Sequence, residues 1–140
     1  MINFFTEELD FSLGNQEEIR LWIESQCRGY GFDIQTINYV FCSDEYLLEI
    51  NKEHLKHDYY TDIITFDMRD AKGQPIEADV FVSIDRVKDN AKEQGLGFLV
   101  ELHRVLIHGL LHLVGYSDKT KQEAVQMRAQ EEKCLSLLLL

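Results

Sequence analysis

The segment from Phe98 to Val114 constrains the fold more strongly than any other part of the chain. Apolar residues surround nearly the whole circumference of a helix drawn through it, and such a helix is normally buried. Polar residues nevertheless recur at helical spacing and fall on one stripe: Glu101, Arg104, His108 and His112. Burying such a stripe is costly unless each member has a partner or lines a cavity. The segment therefore predicts a central helix that carries a polar site.

The end of this helix has the spacing of a metal site. His108 and His112 are one turn apart, so their rings can converge on one point. Gly115 can adopt the left-handed conformation that ends a helix, and the chain can then fold back to bring Asp118 toward the rings. A His-x3-His spacing alone more often marks a surface or paired site, but the buried setting, the glycine and the aspartate favour metal. We predict that His108, His112 and Asp118 hold one zinc ion around an open position.

A peptidase would need a different residue within this motif. The zincin pattern places Glu directly after the first histidine as the general base, and Gly109 stands there instead. Glycine cannot accept a proton, so peptide hydrolysis by that mechanism is not supported, and we expect Gly109 to leave open space beside the metal. His103 lies on another helix face and is expected to be exposed or hydrogen-bonded. His54 and His57 lie in a polar segment and are expected to be solvated and not ligands, although either could approach a site from across the sheet.

Length and composition limit the class of protein. A chain of 140 residues predicts one domain, residues 1–140. Its 14 Lys and Arg against 25 Asp and Glu give a net charge of −11, so a broad basic surface for nucleic acid is not expected. Cys27, Cys42 and Cys134 are odd in number and widely spaced, which indicates a reducing compartment rather than a disulfide framework. With no secretion signal apparent and the Leu137–Leu140 run too short to span a bilayer, we expect a soluble cytoplasmic protein without a membrane role.

Hydrophobic periodicity and capping residues predict the order β-α-β-α-β-β-α-α-α. The predicted strands are Ile2–Thr6, Ile34–Cys42, Thr61–Asp67 and Ala78–Ile84. The predicted helices run from a cap at Asn15 to Arg28, from a cap at Ser43 to His54, over Asp85–Gln94, over Phe98–Val114, and from Thr120 to the chain end. This order predicts an α/β (α+β) fold with a small, mixed, mostly parallel sheet, helices packed on it, and a zincin-like metal-binding helix.

The metal motif resembles the signature of one known family. Residues 108–118 read His-Gly-Leu-Leu-His-Leu-Val-Gly-Tyr-Ser-Asp, which is similar to the His-Gly-x-Leu-His-Leu-x-Gly-Tyr-Asp-His motif of the YbeY family. Ile50-Asn51, residues 61–66 and residues 78–83 resemble further family blocks, so the resemblance covers about residues 35–133. It implies a single-strand-specific endoribonuclease in 16S ribosomal RNA 3′-end maturation and ribosome quality control, a mixed sheet surrounded by helices, and ribosomal small-subunit proteins as candidate partners.

Two positions depart from the family pattern. Asp118 stands where the family's third metal ligand is usually His; Asp binds zinc at a similar distance, but its charge makes the metal a weaker Lewis acid. Leu55 stands where the family commonly has an Arg that acts at the RNA phosphate. Lys52, Lys56 and Arg104 are the candidates to compensate for that Arg.

Three functional hypotheses follow. The first is a zinc-dependent RNA hydrolase in which a metal-bound water attacks the phosphodiester or the metal polarises a phosphoryl oxygen. In this first hypothesis, Glu101 orients a ligand histidine, and Arg104 offsets the charge of Glu101 or binds a phosphate. The alternative for Glu101 and Arg104 is a buried ion pair with a structural role. No residue is assigned as general base. The second hypothesis is a non-catalytic ribosome assembly factor with a structural metal, and the third, disfavoured by Gly109, is a peptidase-like hydrolase.

Contact with RNA cannot come from bulk charge. The basic residues are scattered, and we expect most of them on solvated faces. Those that surround the metal would form a small positive rim. The candidates are Lys52, Lys56, Arg69, Arg86, Lys88, Lys92, Arg104, Lys119 and Lys121.

Overall fold

The chain alternates strands and helices and then ends in three successive helices. The computed structural model describes residues 1–140. Its strands are β1 (Ile2–Glu7), β2 (Ile34–Cys42), β3 (Ile63–Asp67) and β4 (Ile76–Ser83). Its helices are α1 (Gln16–Gly29), α2 (Asp44–Leu55), α3 (Ile84–Gln94), α4 (Phe98–Leu113) and α5 (Lys121–Ser136). The predicted element order is therefore confirmed.

The four strands form one sheet in the order β1-β2-β4-β3. β2 pairs in parallel with β1 and β4, whereas β3 pairs antiparallel with β4 and forms an edge. Parallel neighbours need long crossover connections, and α1 supplies the one between β1 and β2. The prediction of an α/β fold with a mixed, mostly parallel sheet is confirmed.

A helix cap explains why one predicted boundary was wrong. Ser83 ends β4 and caps α3, because its Oγ accepts a hydrogen bond from the Arg86 N–H at 3.1 Å. Ile84 therefore begins a helix instead of ending a strand. Ser43 caps α2 as predicted, accepting from the Tyr46 N–H at 3.2 Å.

Other boundaries also differ from the sequence prediction. Asn15 lies at the N-cap of α1, but it is left-handed (φ 56°) and its side chain makes no capping hydrogen bond. β3 begins two residues later than predicted and β4 two residues earlier. α5 ends at Ser136 instead of continuing to the chain end, and beyond it only Leu138 packs against the core.

Helices cover both faces of the sheet. Ile37, Tyr39 and Phe41 alternate along β2, as predicted, and are fully buried on the face that α1, α4 and α5 cover. α2 packs on the opposite face near the β3 edge, where Leu47 joins Ile64 in a smaller cluster. The loop that follows α2 thus leads into the edge strand that lies beside α4.

α4 approaches the sheet unusually closely at one residue. A Cβ atom on Gly109 would lie 3.0 Å from Ile63 Cδ1, 3.3 Å from Val80 Cγ1 and 3.4 Å from Thr65 Oγ1. Gly109 therefore faces β3 and β4, and the expectation that it leaves open space beside a metal is wrong. Its lack of a side chain sets the height of α4 above the sheet, and with it the position of the polar stripe.

The apolar content of α4 reflects burial in the core. Nearly every residue from Glu101 to Leu113 is buried, and only His108 and His112 are partly exposed. No single helix is long and apolar enough to cross a membrane; α3 and α4 satisfy that test only as a pair bent by 116°. Cys27, Cys42 and Cys134 are buried free thiols.

Candidate metal centre

Three side-chain atoms from α4 and the turn after it converge on one point. His108 Nε2 lies 2.9 Å from His112 Nε2. Asp118 Oδ2 lies 3.3 Å from Nε2 of His108 and 3.7 Å from Nε2 of His112. The structure thus brings together the three residues that the spacing singled out, and this group could hold a metal ion.

A tight turn places the carboxylate. Gly115 has φ 111°, which a residue with a side chain rarely adopts. Its N–H donates to the His112 carbonyl at 3.1 Å, and the Tyr116 N–H donates to the Leu111 carbonyl at 2.9 Å. These two bonds form a Schellman motif, which reverses the chain and brings Asp118 back over α4.

The outer nitrogens of both rings are held by acceptors. His108 Nδ1 lies 2.6 Å from Glu131 Oε2, and His112 Nδ1 lies 3.0 Å from the Tyr116 carbonyl oxygen. A carbonyl oxygen only accepts, so Nδ1 of His112 carries the proton. The same assignment for His108 leaves both Nε2 atoms with lone pairs that face each other. A proton on one ring, or a metal cation between the two atoms, would remove the repulsion between these lone pairs.

Electrostatics distinguish the two rings. Burial lowers the pKa of His108, but the hydrogen bond and charge of Glu131, with Asp118 and Asp62, outweigh it, and the pKa is raised above its ordinary value. Burial, and then the neighbouring His108, lower the pKa of His112. His108 therefore takes the shared proton first, and a metal ion would replace that proton.

The donor set fits zinc. Two imidazole nitrogens and one carboxylate oxygen are common zinc ligands, and donors at about 2.0–2.1 Å in a tetrahedron are separated by about 3.3 Å. The three observed separations, 2.9, 3.3 and 3.7 Å, bracket that value. Hydrogen-bonded Nδ1 atoms that orient the coordinating Nε2 atoms are typical of zinc-binding histidines.

Glu131 on α5, which sequence reasoning missed, is the carboxylate that contacts Nδ1 of His108. Glu101 was the expected partner, but it lies seven residues before His108, about 10 Å along the helix axis, and does not reach it. Glu101 instead faces Arg104, with Oε1 and Nε 3.6 Å apart. Glu131 was detectable, because with Met127 and Cys134 it repeats at the spacing of a buried helix face.

Arg104 is a buried counter-ion in this network. Its guanidinium lies 3.4 Å from Glu131, 2.8 Å from Glu132 and 3.6 Å from Glu101. With only 7% of its side chain exposed, Arg104 supports the charge of Glu131 and does not face solvent. Arg104 and Glu101 therefore form the buried structural ion pair that was the alternative to a role in catalysis. Contact of Arg104 with a phosphate is not supported.

An open cleft of about 490 Å³ adjoins the three donors. α4, β3 and the segment between α2 and β3 form its walls. His57 and Leu55 line it, as does Asp62, whose pKa is raised by burial and whose Oδ2 accepts from Asn90 Nδ2 at 3.2 Å. No Lys or Arg lines this cleft. A second cavity shares Asp62, His108 and Asp118 with it and is lined by Arg104 and Arg128, so of the basic residues considered for a positive rim only Arg104 lines either cavity.

Several basic residues are neutralised where the sequence suggested solvated faces. Arg69 has 3% of its side chain exposed, forms two hydrogen bonds with Asp67, and donates to the Leu113 carbonyl. Arg86 pairs with Asp44 at 2.7 Å. These contacts stabilise the fold and leave the guanidinium groups already paired.

The other histidines lie apart from the three donors. His103 is buried, with its ring 6.4 Å from that of Trp22 and edge-on to it, so the expectation that it is exposed or hydrogen-bonded is wrong. Burial lowers its pKa. His54 is exposed as expected. His57 is also exposed, but it lines the cleft and is not merely solvated.

Comparison with known proteins places this site in a family. The sequence model described as Endoribonuclease YbeY matches residues 2–138. The chain belongs to the Endoribonuclease YbeY family. A YbeY protein of Cytophaga hutchinsonii is 54% identical over 136 residues, which are 97% of this chain and 94% of that one. One from Porphyromonas gingivalis is 46% identical over 98% of this chain and 89% of its own length.

A solved structure agrees with the family assignment. The solution structure of TM1509 from Thermotoga maritima matches with a TM-score of 0.67 at 26% identity. The match covers 97% of this chain and 87% of that one. The family resemblance and the fold expected from it are therefore confirmed over nearly the whole chain.

Proposed function

We propose that this YbeY protein is a zinc-dependent endoribonuclease that cleaves single-stranded RNA. In this proposal residues 1–140 form one cytoplasmic hydrolase domain that acts in 16S ribosomal RNA 3′-end maturation and ribosome quality control. Family membership supports the endoribonuclease activity, and the relatives carry the name Endoribonuclease YbeY. The zinc ion, with His108, His112 and Asp118 as its ligands, is inferred from the geometry of those residues.

The observation that carries the proposal is a three-donor group that opens into a cleft. Structural zinc sites are closed by four protein ligands, whereas catalytic sites have three and leave one position open. Here three donors converge, and their side chains are 20% (His108), 33% (His112) and 41% (Asp118) exposed. This arrangement favours a catalytic metal over the structural metal of a non-catalytic assembly factor.

The residues of the chain would hold and tune the reaction centre. Glu131 and the Tyr116 carbonyl keep the protons of His108 and His112 on Nδ1, so that both Nε2 lone pairs face the cleft. Arg104 balances the charge of Glu131 and keeps that carboxylate in place. A zinc ion held by these ligands would activate water and polarise a phosphoryl oxygen.

RNA cleavage tests the proposal directly. Zinc-loaded protein should cut an end-labelled single-stranded RNA, and should not cut the same sequence when it is paired in a duplex. The His112→Ala variant should lose most of its cleavage rate and also its zinc, since it removes one of three donors. His54→Ala is the matched control, because His54 is exposed and does not line the cleft.

Two results would contradict the proposal. One is a folded, zinc-loaded protein that does not cut any single-stranded RNA, with thermal stability falling on chelation; that outcome would indicate a structural metal. The other is a His112→Ala variant that cuts as fast as the unaltered protein. Circular dichroism of each variant establishes that the fold is retained.

A further inference from the structure

Two aromatic rings stand together on the wall of the cleft. The rings of His57 and Tyr59 are stacked, with centroids 5.1 Å apart and planes 20° from parallel. The Tyr59 hydroxyl lies 3.0 Å from His57 Nδ1. Both residues are exposed, Tyr59 at 56%, and both line the cleft that contains the three donors. We call His57 and Tyr59 the aromatic pair.

A buried side chain holds the aromatic pair in place. Asn51 is only 1% exposed and lies in α2. Its side-chain Nδ2 donates to the Tyr59 backbone carbonyl at 2.9 Å, and its backbone carbonyl accepts from the His57 backbone N–H at 3.1 Å. The segment is therefore pinned at both members of the pair. Exposed rings on a pinned backbone lose little conformational freedom when a ligand stacks on them.

The cleft offers an RNA chain little attraction for its phosphates. No Lys or Arg lines it, Leu55 lies on its wall, and the chain as a whole carries a charge of −11. Lys52, the only Lys within α2, is within 3.7 Å of both Glu49 and Asp58. Apart from the proposed zinc ion, the cleft wall therefore offers no cation to a phosphate, whereas its aromatic rings offer a surface to the bases.

We propose that an unpaired RNA base stacks on the aromatic pair and so positions the strand at the metal centre. This inference rests on the proposed function and names the residues that would provide its binding energy. Proteins bind single-stranded nucleic acid by stacking bases on aromatic side chains, and a base in a duplex has no free face to offer. In this reading His57 and Tyr59 are positioning residues, and their loss raises KM and leaves kcat unchanged.

Substitutions at Tyr59 test the stacking. Binding of a fluorescent single-stranded RNA to zinc-loaded protein should weaken by about 5- to 150-fold in Tyr59→Ala, the range for loss of one stacked base. Tyr59→Phe keeps the ring and should bind within about twofold of the unaltered protein. Tyr60→Ala is the matched control, because Tyr60 is equally aromatic and 45% exposed but bonds Glu45 and does not line the cleft.

An RNA without bases separates stacking from other effects of the substitution. On an oligonucleotide with consecutive abasic sites, Tyr59→Ala and the unaltered protein should bind equally weakly. Zinc content should be the same in both proteins, because Tyr59 does not contact a metal donor. A KM that rises in Tyr59→Ala with constant kcat on intact RNA supports positioning.

The inference and the proposed function fail in distinguishable ways. If the unaltered protein cleaves and binds RNA and Tyr59→Ala does so equally well, the stacking inference is overturned and the nuclease stands. If Tyr60→Ala weakens binding as much as Tyr59→Ala, the effect is not specific to the cleft and the inference also fails. If the unaltered zinc-loaded protein neither binds nor cuts RNA, both proposals are overturned.

Discussion

Removing the charge of Glu131 should weaken zinc binding without disturbing the zinc ligands themselves. Glu131 Oε2 accepts from His108 Nδ1 at 2.6 Å, and its side chain is only 6% exposed. A charge-assisted hydrogen bond of this kind contributes about 1.5–3 kcal/mol, and a neutral one about 0.5–1.5 kcal/mol. Glu131→Gln keeps an acceptor and loses the charge, so about 1–1.5 kcal/mol of zinc binding is lost, or about five- to tenfold in Kd. Glu131→Ala should lose about 10- to 100-fold.

The measurement is a competition titration of zinc between the protein and a chromophoric chelator. Glu132→Gln is the control: Glu132 also pairs with Arg104, at 2.8 Å, but it is 60% exposed and does not contact a histidine. Its zinc affinity should match that of the unaltered protein. Equal zinc affinity in Glu131→Gln, Glu131→Ala and the unaltered protein would refute the role given to this carboxylate.

Three further substitutions test other parts of the structure. Gly109→Ala should destabilise the fold by about 1–3 kcal/mol, because the new methyl group meets Ile63 Cδ1 at 3.0 Å. Adding Ile63→Val removes Cδ1 and should restore part of the lost free energy of unfolding, measured by urea denaturation. A double variant no more stable than Gly109→Ala alone would contradict the proposed clash with Ile63. In the unaltered protein, burial lowers the pKa of His103, so below pH 6.5 the unfolded state binds a proton at this residue more readily than the folded state, and the free energy of unfolding falls as the pH falls. His103→Phe removes this group and should make the free energy of unfolding less dependent on pH below 6.5. An unchanged difference between pH 5 and pH 7 would count against it. Leu55→Arg places a cation on the cleft wall, so RNA binding should tighten. The slope of log K against log salt concentration should become steeper by about 0.7, the value for one neutralised phosphate of a single strand. An unchanged slope would mean that no phosphate lies beside residue 55.

The metal group could be predicted from the sequence because its geometry is local. Two histidines one turn apart, a glycine that ends the helix and an aspartate three residues later all lie within one helix end. Helical spacing and the conformational freedom of Gly115 are enough to bring His108, His112 and Asp118 together. The resemblance to the YbeY motif rests on the same residues, and the family match confirms it.

The support around the metal group depends on tertiary packing, and local pattern could not place it. Glu131 reaches His108 only because α5 folds back against α4. The expected partner, Glu101, shares a stripe with His108 but lies two turns away, a distance that counting along one face overlooks. The orientation of Gly109 toward β3 likewise required the sheet to be in place.

The stacking of the aromatic pair also could not be predicted from a local sequence pattern. His57 and Tyr59 are two residues apart in an irregular segment, where neither helical nor strand periodicity predicts a shared side. Their stacking depends on Asn51, whose side chain and backbone both bond the segment. Asn51 is buried and therefore requires partners, but its burial becomes visible only in the folded chain.

Zinc content tests the central claim most directly. The untagged protein, purified without added chelator and measured by elemental analysis, should contain one zinc ion per chain. Asp118→Ala, shown by circular dichroism to be folded, should contain little or no zinc after the same purification, since it removes one of only three donors. An unaltered protein without stoichiometric zinc, or an Asp118→Ala variant that retains a full equivalent, would contradict the account.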